Sequence, residues 1–105
     1  DTARHSVEVL VNQLLPTGTV TLPSIAEHLS MHPKTLQRRL ADEGATFGEI
    51  VDTIRRERAR RLLSGTAITL SHLARELGYA EQSVLTRSCK RWFGCGPAEY
   101  RNSCR

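Results

Sequence analysis

Gln82, Ser83, Thr86, Arg87, Lys90 and Arg91 recur at spacings that gather them on one side of a helix, while Leu85, Cys89, Trp92 and Phe93 fall on an apolar stripe opposite. The chemistry such side chains do is recognition. Guanidinium, ammonium, amide and hydroxyl donors suit phosphate oxygens and the edges of bases. The chain's one Trp lies on the apolar stripe, so this helix is anchored in a core. A second set has the same build: Lys34, Gln37, Arg38 and Arg39 lie outside a helix whose inner stripe is Leu36 and Leu40. Taken alone, either set reads as the solvated face of a surface helix. The recurrence of Arg38 and Arg87 at matched positions favours recognition.

Other reactive residues form no constellation. His28 and His32 are four apart, as in metal-binding helices, but Ser30 and Pro33 put them on either side of a turn, and no third ligand follows at a useful spacing. No metal, cofactor or catalytic residue is expected, and the chain does not read as an enzyme. Cys89, Cys95 and Cys104 include no CxxC pair. Cys89 is expected in the core, with Cys95 and Cys104 exposed and prone to adventitious disulfides. An odd cysteine count without framework spacing points to a reducing, cytoplasmic setting.

The elements that must position these residues repeat. TLSHLARELGYAEQ reads as a short helix ending at Gly78, directly before the Ser83–Phe93 helix; two short helices with a tight turn suggest helix-turn-helix. Thr21, Leu22, Ile25, Ala26 and Leu29 match Thr69, Leu70, Leu73, Ala74 and Leu77 at an offset of 48, and Leu36, Arg38 and Leu40 match Leu85, Arg87 and Cys89 at 49. The second turn is therefore one residue longer. Two units are too few for a solenoid and suit a tandem reader of two groove segments.

In chain order, residues 4–15 carry Val7, Leu10, Val11 and Leu14 at helical spacing and stop at Pro16 and Gly18. Thr21 is placed to cap the next helix, with Pro23 tolerated in its first turn. Ser30 stands where the second unit has Gly78, a position that often needs a left-handed residue. Pro33 can start the helix that Gly44 ends. Thr46 caps a longer helix from Phe47 to Leu63, roughly 26 Å long, with Phe47, Ile50, Val51, Ile54, Leu62 and Leu63 as its apolar set. Its run of Arg55, Arg56, Arg58, Arg60 and Arg61 reads either as phosphate contact or as salt bridging to Glu49, Asp52 or Glu57. Ser64 and Gly65 end it. Thr69 caps the following helix, and a short helix from Pro97 to Arg101 closes the chain, with Tyr100 packing back.

Bulk properties agree. A chain of 105 residues, 39% hydrophobic, fits one compact domain with a small core. Its net charge of +4 favours a polyanionic partner. No run of 18 apolar residues marks a membrane span, and no signal peptide is present. The start at Asp1 without Met suggests a fragment or a processed chain.

The runs IAEHLSMHPKTLQRRLADEGATFGEIVDTIRRERARRLL and ITLSHLARELGYAEQSVLTRSCKRWFGCGPAEYR resemble the DNA-binding domain of AraC/XylS-type transcription regulators. The most specific pieces are LQRRL, RRERARRLL, LARELGY and KRWFG-x-x-PAEYR, and the resemblance covers most of the chain in order. It implies an all-α fold of about seven helices in one domain: two helix-turn-helix subdomains, 1–45 and 65–105, joined by a long linker helix, 46–64. It implies that both second helices enter successive major-groove segments of double-stranded DNA. Lys34, Gln37 and Arg38, with Arg39 beside them, would serve one segment. Gln82, Ser83, Thr86 and Arg87, with Lys90 and Arg91, would serve the other. The family's members are bacterial, cytoplasmic regulators; activators among them touch RNA polymerase, and many carry a separate N-terminal sensor or dimerisation domain. The isolated domain is expected to be a monomer and a longer protein a dimer. Two departures stand out: Cys89 where Phe is common, and Ser30 in place of Gly. The competing readings are a protein-interaction module of helix-turn-helix shape and part of a cysteine-based DNA-repair regulator, whose zinc-bound cysteine cluster this sequence lacks.

Overall fold

A computed structural model of the chain describes residues 2–103. The described residues hold seven α-helices and no strand: α1 (Ala3–Leu14), α2 (Leu22–His28), α3 (Pro33–Asp42), α4 (Phe47–Gly65), α5 (Leu70–Glu76), α6 (Gln82–Phe93) and α7 (Pro97–Ser103). A 3-10 turn, Leu15–Thr17, follows α1 where Pro16 cannot continue the α-helical ladder.

Threonines set most of the starts. The hydroxyls of Thr2, Thr21, Thr46 and Thr69 accept from the N–H groups of His5, Ser24, Glu49 and His72, at 3.0 to 3.2 Å. Each bond satisfies a donor that has no partner within its own helix, a contribution of about 1 kcal/mol. Ser24 returns the favour to the Thr21 N–H, closing a capping box. His32, considered above as a metal ligand, caps α3 instead: its Nδ1 accepts from the Lys34 N–H at 3.1 Å. The ring of His28 meets the Ser24 carbonyl oxygen at 2.8 Å.

The sequence repeat is also a repeat of backbone bonds. The Met31 N–H donates to the Ala26 carbonyl, and the Tyr79 N–H to that of Ala74, both at 2.9 Å; the preceding bonds, Ser30 to Glu27 and Gly78 to Arg75, match as well. This is the six-to-one closure that turns a helix end through a left-handed residue. Ser30 takes that conformation at φ 55 and Gly78 at φ 80.

Two helices run two residues past the end that the periodicity gives, while α1 and α6 shift by a single residue. The linking helix runs on to Gly65 instead of stopping at Leu63, because its last carbonyls are held from outside the helix. Arg101 of α7 donates to the Leu63 carbonyl (3.1 Å), and the Thr66 N–H and hydroxyl both reach the Leu62 carbonyl; Arg101 also donates to the Ile68 carbonyl (2.7 Å) in the segment beyond the helix. The last helix likewise continues to Ser103. Ala59, absent from the expected apolar set of α4, is fully buried. It lies one turn before Leu63, on the stripe the flanking arginines conceal in the sequence.

Both units share one core. Val7, Val11 and Leu15 pack with Ile25, Leu36 and Leu40 of the first unit, and the cluster continues through Ile50, Ala59 and Leu63 to Leu73, Leu77, Leu85 and Cys89 of the second. Each fully buried Leu contributes about 1.5–3 kcal/mol relative to exposure. Phe93 stacks on Tyr100 at 4.1 Å between ring centroids, which docks α7 as expected. The molecule measures 42 × 24 × 21 Å, so its long axis exceeds one helical turn of B-DNA, about 34 Å.

Candidate nucleic-acid interface

On α3 the fully buried Leu36 and Leu40 fix the phase of the helix. At about 100° per residue, Lys34 and Arg38 then stand opposite the core. Gln37 and Arg39 flank them on the two sides. All four are exposed. Gln37 borders a groove shared with Leu22 and Phe47, and Arg39 one shared with Ala3 and Met31.

On α6 the inward set is Leu85, Ser88 and Cys89, with Trp92 and Phe93 half-buried. Ser83, Arg87 and Lys90 stand opposite it. Gln82 is exposed at the first turn, and Thr86 is half-buried at the edge of the row, its hydroxyl directed to the Gln82 carbonyl at 3.4 Å. Arg91 falls on the other flank and turns away from the row. Its Nη1 and Nη2 donate to Asp52 of α4 at 3.2 and 2.7 Å. Ser88 reads as polar in the sequence yet is buried; its hydroxyl pairs with that of Tyr79 at 2.9 Å. Its spacing from Leu85 and Trp92 puts it on the inward stripe, but a polar side chain there gives no apolar signal, and the partner across the turn makes its burial tolerable.

The linker arginines separate into distinct roles. Arg55 Nε donates to the Leu77 carbonyl at 2.8 Å, with its guanidinium 4.7 Å from the Tyr79 ring centroid. Arg58 donates to the Glu76 carbonyl (3.3 Å) and to the backbone and side-chain oxygens of Asn12 (2.8 and 3.2 Å). Both cations thus sit at the C-terminal end of α5, where carbonyls lack partners and the helix dipole is negative. Burial pulls the Arg58 guanidinium below its ordinary pKa. Arg60 pairs with Glu57, the helical-spacing alternative weighed for this run. Arg56 and Arg61 are exposed. Asp52 accepts its hydrogen bonds from Arg91 and Trp92, with Arg55 adding a weaker attraction, and the Arg91 hydrogen bond first of all holds its carboxyl below the ordinary carboxylate range.

Each unit therefore presents an exposed row of donors on the second helix of a tight helix-turn-helix, and the two rows sit at equivalent places of one repeat. That architecture defines a DNA-recognition domain of the tandem helix-turn-helix class. The family described as "Helix-turn-helix domain" matches residues 25–103. The transcriptional regulator VirS of Mycobacterium tuberculosis is 48% identical over 95% of this chain, which spans 29% of VirS. Among solved structures, the C-terminal domain of AraT, a response regulator from Geobacillus stearothermophilus, superposes with a TM-score of 0.88 at 27% identity, covering 98% of this chain and 86% of that one. The DNA-binding domain of AdpA, a global transcriptional factor, has the same fold: TM-score 0.83 at 22% identity, covering all of this chain and 95% of that one. The chain belongs to the AraC-type helix-turn-helix family of transcription regulators.

Proposed function

We propose that this chain is the DNA-binding part of a longer bacterial transcription regulator, and that it reads two successive major-groove segments on one face of duplex DNA through α3 and α6. The observation that carries this is the matched placement of Arg38 and Arg87, each opposite the buried stripe of its helix. Arginine pairs bidentately with guanine O6 and N7, and the glutamines at 37 and 82 suit adenine N6 and N7. Lys34, Ser83, Thr86 and Lys90 complete the two contact rows, with Arg39 at the edge of the first. The first subdomain is 1–45 and the second 65–105, with 46–64 between them. The AdpA domain was captured in complex with a target DNA, a state this fold can adopt.

A longer protein of this kind works in the cytoplasm, and its remaining partner is RNA polymerase. Among the described residues no helix is long and apolar enough to cross a membrane. The isolated domain is a monomer, since two reading helices on one chain span two groove segments without a twin; sedimentation at micromolar concentration tests that.

Selection from a random duplex pool, followed by binding of the winners at several salt concentrations, tests the main reading. The expected product is a two-part site. With about six phosphates contacted, log K falls against log salt with a slope near −5. A slope near zero removes DNA binding and leaves a protein-interaction module.

A further inference from the structure

We propose that Asp52 and Arg55 of the linking helix are positioning residues that set the rotation of α6, and with it the spacing at which the two reading helices meet DNA. The inference rests on the function proposed above. The two residues are three apart on α4 and so lie on one face of it. Asp52 takes three bonds from the end of α6: two from Arg91, and a third from Trp92 Nε1 at 3.1 Å. Arg91 and Trp92 are consecutive, about 100° apart around the helix. One carboxylate holding both of them resists rotation in either sense.

Arg55, one turn further along α4, provides a second tie that reaches α6 one turn before Trp92. It bonds the Leu77 carbonyl and lies over the ring of Tyr79, and the Tyr79 hydroxyl holds the buried Ser88 of α6. Ser88 and Trp92 are four apart, on one side of α6. The apolar stripe sets the coarse phase of the helix; these polar, directional ties set the fine one. A rotation of 30° would move a side chain on the outer surface by about 3 Å, the full length of a hydrogen bond. Arg91, grouped by sequence with the DNA-facing donors, belongs to this clamp. The Asp52–Arg91 pair is substantially exposed, with side chains 39% and 59% accessible, so it adds little to stability. Its effect is on placement.

The test uses the whole chain and duplexes carrying both half-sites, with the distance between them changed by one or two base pairs. The readout is the affinity ratio between the best spacing and its neighbours. Asp52→Ala and Arg91→Ala should each lower that ratio by about threefold, the scale of an exposed ion pair. The double variant should match the singles, and the salt slope and Tm should stay where they were. Asp52→Asn keeps an acceptor for Trp92 and should fall between, and it supplies the comparison should Asp52→Ala fold poorly. Arg55→Lys should flatten the preference too. If Arg91 meets a phosphate instead, Arg91→Ala lowers the salt slope by about one while Asp52→Ala tightens binding by freeing the cation; that result overturns the proposal, as does an unchanged spacing ratio in all variants. Loss of salt-dependent binding by the unaltered chain would strike the functional reading itself and is seen before any variant is made.

Discussion

A Cβ on Gly78 would lie 2.5 Å from the carbonyl oxygen of Leu15 and 3.6 Å from Arg55 Nη2. The turn of the second unit thus packs directly on the backbone that ends α1. Ser30, its counterpart in the first unit, is exposed and carries a side chain at the same left-handed bend. The two positions share a conformation and differ in what surrounds them.

The difference predicts unequal responses. Gly78→Ala should destabilise the domain by about 3 kcal/mol or more, adding a backbone clash to the left-handed penalty of about 1–2 kcal/mol. Ser30→Gly should stay within about 1 kcal/mol of the parent, since relief at φ 55 is offset by a freer unfolded chain. Urea unfolding midpoints compare them; a Gly78→Ala loss no larger than the left-handed penalty of about 1–2 kcal/mol would mean that the Leu15 contact carries no energy.

Cys89 is fully buried, and burial, with the Cys95 charge adding, pushes its thiol up to about 11. Thiolate is the reactive form, so at pH 8 Cys89 is both shielded and protonated. Native protein should take up a bulky maleimide at Cys95, which is half-buried, while Cys89 labels only after denaturation. Cys104, expected from the sequence to react readily, lies outside the described residues. Peptide mapping of rapid native labelling at Cys89 would mean that the stripe opens.

Acid should break the Asp52 tie between α4 and α6 while the apolar core keeps the two helices packed. The Asp52 carboxyl is held low chiefly by the Arg91 hydrogen bond, against partial burial and with help from Trp92. A group depressed in the folded state stabilises fully above its unfolded pKa, about 3.9, and that contribution is lost as pH falls through the folded value. Trp92 is the chain's one Trp, so its fluorescence should shift below pH 4 in the parent. The same titration of Asp52→Asn should lack that step; an identical curve would place the change elsewhere.

Arg38→Ala and Arg87→Ala should each cost about 1–3 kcal/mol and relax preference at one base pair, the two lying about 10 base pairs apart. Binding to a panel of single-base operator variants reads this directly. Both substitutions relaxing the same pair, or neither relaxing any, would end the two-groove reading. Arg58→Ala should lower stability without changing sequence preference, because its donors are spent on Glu76 and Asn12.

The sequence by itself determined the helices, their order and the phase of the exposed donor rows on α3 and α6. Periodic leucines, threonine caps and glycine or proline stops act within a few residues of chain, so they are visible one segment at a time; Leu36 and Leu40 alone are enough to turn Arg38 outward. The 48-residue offset extended this to the tandem architecture, because an equal pattern ends each first helix with the same closing bonds, although the second turn is one residue longer. What each arginine does was decided only by the tertiary structure. Arg55, Arg58 and Arg101 bond to carbonyls 22, 18 and 38 residues away, and Arg91 reaches a carboxylate 39 residues away. A backbone carbonyl has no signature in the sequence, and the end of a helix becomes a cation site only when folding brings a guanidinium to it. Ala59 and Ser88 were hidden for the same reason. A small or polar side chain is buried by its neighbours and not by its own hydrophobicity, so its place in the core is settled by the crossing of helices that the local pattern does not encode.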